Sequence, residues 1–167
     1  MKWSRPGGFL NSRRKTEEAH GMFRGNHPTR VDEKGRLKVP AEFKREIEER
    51  YGTKFYITSE NGKTAKVYPM EEWEKIEQKL MSMPNSNPSK KRLLTATSFY
   101  GQNAEMDSQG RLLLPQILRE KAQVIGDVAV FGMLTFLEVT NMDAIRQEMD
   151  ANPLTDADAD VLGAYGL

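Results

Sequence analysis

Within one short stretch of this sequence, Arg24, Arg30, Lys34, Arg36 and Lys38 stand close together, with Asp32 and Glu33 the acids among them. A local surplus of cations suits two kinds of chemistry. Lys and Arg neutralise phosphates, and an Arg fork can hydrogen-bond a base edge such as guanine in bidentate fashion. Bond-making chemistry finds less support. The chain has no Cys, and its histidines are His20 and His27. Neither a thiolate nucleophile nor a His/Cys metal site can be assembled from these within one chain. No catalytic residue, metal, cofactor or small-molecule substrate is expected.

The cations surround a phrase that the chain states twice. Asp32-Glu33-Lys34-Gly35-Arg36-Leu37-Lys38-Val39-Pro40 returns 75 positions later as Asp107-Ser108-Gln109-Gly110-Arg111-Leu112-Leu113-Leu114-Pro115. A repeat at one offset implies two copies of one unit. Asp accepts hydrogen bonds from nearby backbone N–H groups and nucleates a turn, and Gly three positions on supplies a positive φ. Leu-x-Val or Leu-x-Leu then alternates like a half-buried strand, and Pro stops it and suits a helix start. Asp32, Gly35, Asp107, Gly110 and Arg111 are therefore expected to be structural. At the positions of Arg30, Lys34 and Lys38 the second copy holds Glu105, Gln109 and Leu113. Arg111 is expected to pair with Asp107 in its own turn, while Arg36, among basic neighbours, stays available to a polyanion.

The elements that position these residues follow from pattern. After Pro40, Phe43, Ile47 and Tyr51 fall on one helical stripe ended by Gly52. Residues 55–58 and 65–68 read as strands around a hairpin turn at Asn61-Gly62. Pro69 opens a helix with Trp73, Ile76, Leu80 and Met83 on one face, and Glu71, Glu72 and Glu74 on a solvated one. Asn87-Pro88 starts a short helix that reaches Phe99. The second copy repeats the order. Ile117, Leu118 and Ile125 mark its helix, Gly126 ends that helix, and strands flank Gly132. Asn141 then caps a last helix containing Ile145 and Met149. From Asn152 the acidic tail reads as loosely ordered.

The expected divisions are a flexible extension over 1–21, a first repeat over 26–72, a helical connector over 73–100, a second repeat over 101–144, and a helix end with acidic tail over 145–167. Each repeat is near the lower size limit for an independent core, so the two should share one β core. Two motifs are rejected. Gly62-Lys63-Thr64 lacks the earlier Gly of a phosphate loop, since Ile57 stands there, and a strand rather than a helix follows. Asp156-Ala157-Asp158-Ala159-Asp160 lacks the Gly and Glu of a calcium loop, since Val161 and Leu167 stand there. No run of about 20 apolar residues is present to span a membrane.

Met22-Phe23-Arg24-Gly25, the doubled Asp-x-x-Gly-Arg phrase, and Tyr68-Pro69-x-x-x-Trp73 together resemble the MraZ family, within the larger SpoVT/AbrB group of swapped-hairpin transcription factors. The resemblance covers about residues 22–149. It implies an α+β fold, a double-split β-barrel formed by both repeats with helices around it. It also implies sequence-specific binding of double-stranded DNA at repeated promoter boxes, regulating the bacterial division and cell-wall gene cluster, the protein's own promoter included. A homo-oligomeric ring in the cytoplasm, on the nucleoid, would follow. The family's DNA-contacting Arg falls on Arg36, supported by Lys34, Lys38, Arg24 and Arg30. The segment before Met22 departs from the family, which raises Met22 as a second candidate start. The alternative is a non-enzymatic structural or protein-interaction oligomer.

Overall fold

The computed structural model describes residues 22–167. The flexible extension expected over 1–21 lies outside them. The described residues form eight strands and six helices: β1 (Asn26–Val31), β2 (Arg36–Lys38), α1 (Ala41–Arg50), β3 (Lys54–Thr58), β4 (Ala65–Pro69), α2 (Met70–Met81), α3 (Pro88–Phe99), β5 (Gln102–Glu105), β6 (Arg111–Leu113), α4 (Gln116–Ala122), β7 (Gly126–Gly132), β8 (Leu137–Asn141), α5 (Met142–Ala151) and α6 (Asp156–Gly163).

All eight strands join one antiparallel sheet in the order β5-β3-β4-β8-β7-β1-β2-β6. The two ends of this order, β5 and β6, are consecutive in the chain and joined by the second Asp-Gly turn. There Asp107 N–H donates to the Arg111 carbonyl at 3.0 Å, as Asp32 N–H donates to that of Arg36 at 2.9 Å. The sheet thus nearly closes into a split barrel. Its pairing exchanges strands between the repeats. β1 of the first repeat pairs with β7 of the second, and β5 of the second pairs with β3 of the first. A pseudo-twofold axis passes between Leu37 and Leu112, equivalent residues that face each other across β2 and β6.

One apolar cluster fills the interior, and both repeats supply it. Leu37, Phe43, Ile47, Phe55, Ile57 and Val67 meet Leu112, Leu114, Leu118, Val128, Val130 and Val139. The sharing follows from size, because about 50 residues bury too little surface to fold alone. Trp73 of α2 stacks on Tyr56 with ring centroids 4.6 Å apart and meets Tyr68 at a tilt, 5.2 Å away.

The β3–β4 connection is a six-residue loop, 59–64, with Gly62 at φ +72° inside it, where the turn was expected. Several expectations need correction. Glu72 is buried, accepting from Tyr51 Oη and Lys75 Nζ at 3.0 Å each. Burial, and then the Glu72 carboxylate, push the Tyr51 phenol up to about 12. α4 ends at Ala122 because Gln123 takes the left-handed conformation, φ 55°, while Gly126 opens β7. Ile117 and Ile125 face outward, 48% and 57% exposed, and Leu118 is the residue of that group that enters the core. Asn141 does cap α5, its Oδ1 accepting from the N–H groups of Asp143 and Ala144 at 3.0 Å, but α5 buries no residue. The acidic tail is helical. Thr155 and Asp158 form a capping box that satisfies the first N–H groups of α6.

Leu37→Ala should lower unfolding free energy by about 2–5 kcal/mol, the cost of a cavity in a shared core. Ile117→Ala should change it by less than about 0.5 kcal/mol, as for an exposed site. Urea denaturation of both variants followed by circular dichroism checks the assignment. A large effect at Ile117 would mean that this side chain is covered.

Candidate nucleic-acid interface

The two phrases build a two-stranded ribbon. Arg36 lies opposite Leu113, Leu37 opposite Leu112, and Lys38 opposite Arg111. Opposed residues on an antiparallel pair share a face, and successive residues alternate faces. Leu37 and Leu112 therefore form the inner row, fully buried. Arg36, Lys38, Arg111 and Leu113 form the outer row, with three cations among four residues. The ribbon is tied at both ends by the turns of the opposite repeat. Val39 N–H donates to the Gly110 carbonyl, and Leu114 N–H donates to the Gly35 carbonyl, both at 2.9 Å.

The same three hydrogen bonds hold each turn, two of them donated by its Arg. Asp32 Oδ1 accepts from the N–H groups of Lys34 and Arg36 at 3.0 and 2.9 Å, and Oδ2 accepts from Arg36 Nε at 2.7 Å. Asp107 Oδ1 accepts from the N–H groups of Gln109 and Arg111 at 2.9 Å each, and Oδ2 accepts from Arg111 Nε at 2.8 Å. The backbone N–H of the Arg is the largest influence on each carboxyl, with the guanidinium adding to it. Together they hold Asp32 and Asp107 below the usual carboxylate range, against the opposing effect of partial desolvation. Gly35 and Gly110 sit at φ +84° and +74°, where L side chains are rare.

The glycines are also points of close approach. A Cβ on Gly35 would strike the guanidinium of Arg119, from α4 of the second repeat. A Cβ on Gly110 would come within 3.0 Å of the side chain of Lys44, from α1 of the first repeat. Lys44 and Arg119 are equivalent, each four positions after the Pro of its phrase. Each turn is therefore covered by a cation from the other half of the molecule. Arg119 Nε also donates to the Leu114 carbonyl at 3.1 Å.

Comparison with known proteins agrees with this doubled arrangement. The family model for the MraZ protein matches residues 22–96 and again residues 101–163. The chain belongs to the MraZ family. Among its relatives, the transcriptional regulator MraZ of Acidobacterium capsulatum is 62% identical over 146 residues, covering 87% of this chain and all of that protein. The transcriptional regulator MraZ of Koribacter versatilis is 52% identical over 147 residues, with the same coverage. That of Haemophilus influenzae is 32% identical over 151 residues, again across its whole length.

Within this MraZ fold the expected site residues separate into three places. Lys34, Arg36 and Lys38 do come together at the ribbon. Arg30 is near its end but ion-paired with Asp127 at 2.9 Å across β1 and β7. Arg24 does not join them. It precedes β1, beside the Gly132–Leu134 bend, where Phe23 bridges Leu134. A six-residue strand, roughly 20 Å, separates it from the first turn. The expected contrast between the two arginines also fails, because Arg36 is paired in its turn just as Arg111 is. Lys38 lies beside Arg111, so the second turn is not the acidic neighbourhood that its own sequence suggests. Glu105 accepts from Thr53 Oγ1 at 3.2 Å and has no bond to Arg111 among the described contacts. Sequence reasoning missed Lys44 and Arg119. Their signal is the extension of the repeat to Pro-x-x-x-Lys and Pro-x-x-x-Arg.

A carboxyl held low contributes stability in full above its unfolded value, about 3.9, and loses it as pH falls through the folded value. Asp107→Asn keeps an oxygen for the two N–H donors but sets an NH2 group against Arg111. The variant should melt below the parent at pH 7, and the difference should shrink as pH drops from about 4 towards 2. Thermal melts across that range check it. A difference independent of pH would show that the ion pair contributes nothing.

Proposed function

We propose that this MraZ-family chain is a sequence-specific DNA-binding transcriptional regulator whose reading surface is the β2–β6 ribbon. One observation carries the reading: three cations stand in one outward row, and an Asp orients each Arg fork through Nε. That pairing fits recognition as well as structure. Once Nε is engaged by the Asp, the two terminal nitrogens of the guanidinium can address a pair of acceptors such as guanine O6 and N7. A fork held before contact loses less conformational freedom on binding. A two-stranded ribbon is narrow enough for the major groove, about 12 Å wide.

In this reading Arg36 makes the principal base contact. Lys34 and Lys38 neutralise phosphates, Arg111 assists beside Lys38, and Arg119 adds positive potential above the first turn. Arg30 and Arg24 contribute at the margins, Arg30 after exchanging Asp127 for a phosphate. The targets are repeated boxes upstream of the division and cell-wall gene cluster, the protein's own promoter included. Binding takes place in the cytoplasm on the nucleoid. A homo-oligomeric ring presents several ribbons at once, which multiplies modest single-site affinity. The names of the relatives support the regulatory role, and the turn chemistry supports DNA as the ligand.

The test is a salt-dependent titration with duplex DNA from upstream of the gene. Affinity should fall steeply with salt as phosphates displace counterions. Arg36→Ala should cost about 1–3 kcal/mol per engaged contact and relax base preference. Lys38→Ala should weaken all sequences alike and lower the salt slope by about 1. Arg111→Ala should have a smaller effect on affinity per folded molecule, since no Lys follows the Asp in its turn. Salt-insensitive or absent binding would remove the DNA reading, and equal loss from Arg36→Ala and Arg111→Ala would make the two turns equal readers.

A further inference from the structure

A cleft of about 510 Å3 opens where the first turns of α5 meet β1 and β7. Thr29 of β1, Asp127 of β7, and Asp143 and Arg146 of α5 give it polar groups, while Ile125 and Met142 give it an apolar wall. Asp143 and Arg146 stand three apart on one helix, a spacing at which opposite charges are neighbours. Among the described residues, neither side chain forms a hydrogen bond or an ion pair. The cleft therefore holds an open carboxylate and an open guanidinium, with exposed Ile125 in the same lining.

The first repeat supplies an internal comparison. Its equivalent cleft is lined by Lys54, Pro69, Met70 and Glu71, at the positions of Asp127, Asn141, Met142 and Asp143, and holds about 280 Å3. Where the second repeat has Arg146, the first has Glu74, which takes no part in the lining. The shared fold thus makes a groove twice, and the second groove alone sets an anion receptor beside an acid. The barrel does not require that difference, because α5 buries no residue.

A ligand that fits must carry both signs. Its carboxylate would lie on the Arg146 fork, which suits bidentate pairing. Its ammonium would lie at Asp143 and Asp127, and an apolar side chain would cover Ile125 and Met142. An amino acid or dipeptide with an aliphatic side chain has these three groups, and the cleft falls in the range of small-molecule sites, about 300–1,000 Å3.

We propose that this cleft binds such a zwitterion, and that its occupancy strengthens DNA binding at the ribbon. Asp127 makes the link. Its Oδ1 accepts from Arg30 Nη1 at 2.9 Å, so an ammonium that takes over Asp127 releases Arg30 towards a phosphate. Thr29, in the cleft wall, donates its hydroxyl to the Lys38 carbonyl at 2.8 Å, which ties the wall to the ribbon. The coupling is reciprocal, and DNA tightens the ligand by the same factor. The inference rests on the DNA reading above, but the cleft is testable apart from it.

The probe is alanyl-leucine, with its N-acetyl form and its C-terminal amide as controls. Carbon-13 methyl spectra of the chain without DNA should show a saturable shift at Ile125. Either control should fail to produce it, as should the dipeptide with Arg146→Ala, a change at an exposed position that spares the core. Duplex DNA from upstream of the gene is then titrated at fixed salt. Saturating dipeptide should raise the affinity several-fold. Asp127→Asn should raise it without dipeptide and remove the response. No saturable shift at Ile125, or a shift that survives Arg146→Ala, would overturn the proposal. Dipeptide binding that leaves DNA affinity unchanged would overturn the cleft as an effector site. A chain that takes the dipeptide but binds no DNA would uphold the cleft and remove the DNA reading instead.

Discussion

The fold depends on three residue pairs. β2 and β6 are each too short to persist as strands by themselves, yet their ladder is where the two repeats meet on the pseudo-twofold axis. Each strand is entered through a turn whose glycine carbonyl accepts a hydrogen bond from the opposite repeat. The Asp of that turn must therefore set the backbone correctly for two halves of the molecule at once. A side chain at Gly35 would disturb its own turn through φ and displace Arg119 of the other repeat. This mutual dependence explains why one phrase is spelled twice with so little freedom. It also places the outward cations, because the row that faces solvent is fixed by the row that is buried.

Local chemistry is legible in the sequence wherever a short stretch decides its own conformation. The Asp-x-x-Gly turns, the Asn87 cap with Pro88 behind it and the Asn141 cap all lie where their residue types place them. The shared core is also legible, since neither repeat is large enough to do without the other. What stays hidden is set by partners far away in sequence. Lys38 looks like a neighbour of Arg36, but in the ladder it stands opposite Arg111. Arg24 is close to the first turn along the chain and a strand's length from it in space. In the seven residues of α4, Ile117 and Leu118 are adjacent and equally apolar, and the sheet alone decides which turns inward. The tail shows the reverse error. Its acidic, small-residue composition suggests disorder, while a specific cap at Thr155 and Asp158 supplies the start of a helix.

The two halves share a backbone plan and differ in charge. Where β1 meets β7, Arg30 faces Asp127, and at the equivalent place Lys54 faces Glu105, with the signs exchanged. On the axis, Lys66 of β4 lies opposite Glu138 of β8. The exposed Arg30–Asp127 ion pair adds little stability, about 0–1 kcal/mol, and half-buried Lys66 bonds Glu60 rather than Glu138. The effect of these charges is on choice of partner. A symmetric pair of identical halves could exchange strands with a second molecule as easily as with itself. Opposite charges at equivalent positions instead favour pairing the first half with the second.

The exchange of strands between repeats also has a consequence in time. β1 ends at Val31, and its partner β7 begins at Gly126, so nearly a hundred residues must be made before the two can pair. At about 5–20 residues per second, a ribosome leaves β1 waiting for several seconds. Until residue 112 is made, the nascent first repeat carries β3 and β4 as a local hairpin, while β1 and β2 have open edges and Leu37 has no Leu112 to cover it. Such edges invite other strands. The interior is sealed only after β7 and β8 emerge, late in synthesis. The nascent chain therefore passes through an open half-barrel, which β5 and β6 can join before β7 and β8 close it.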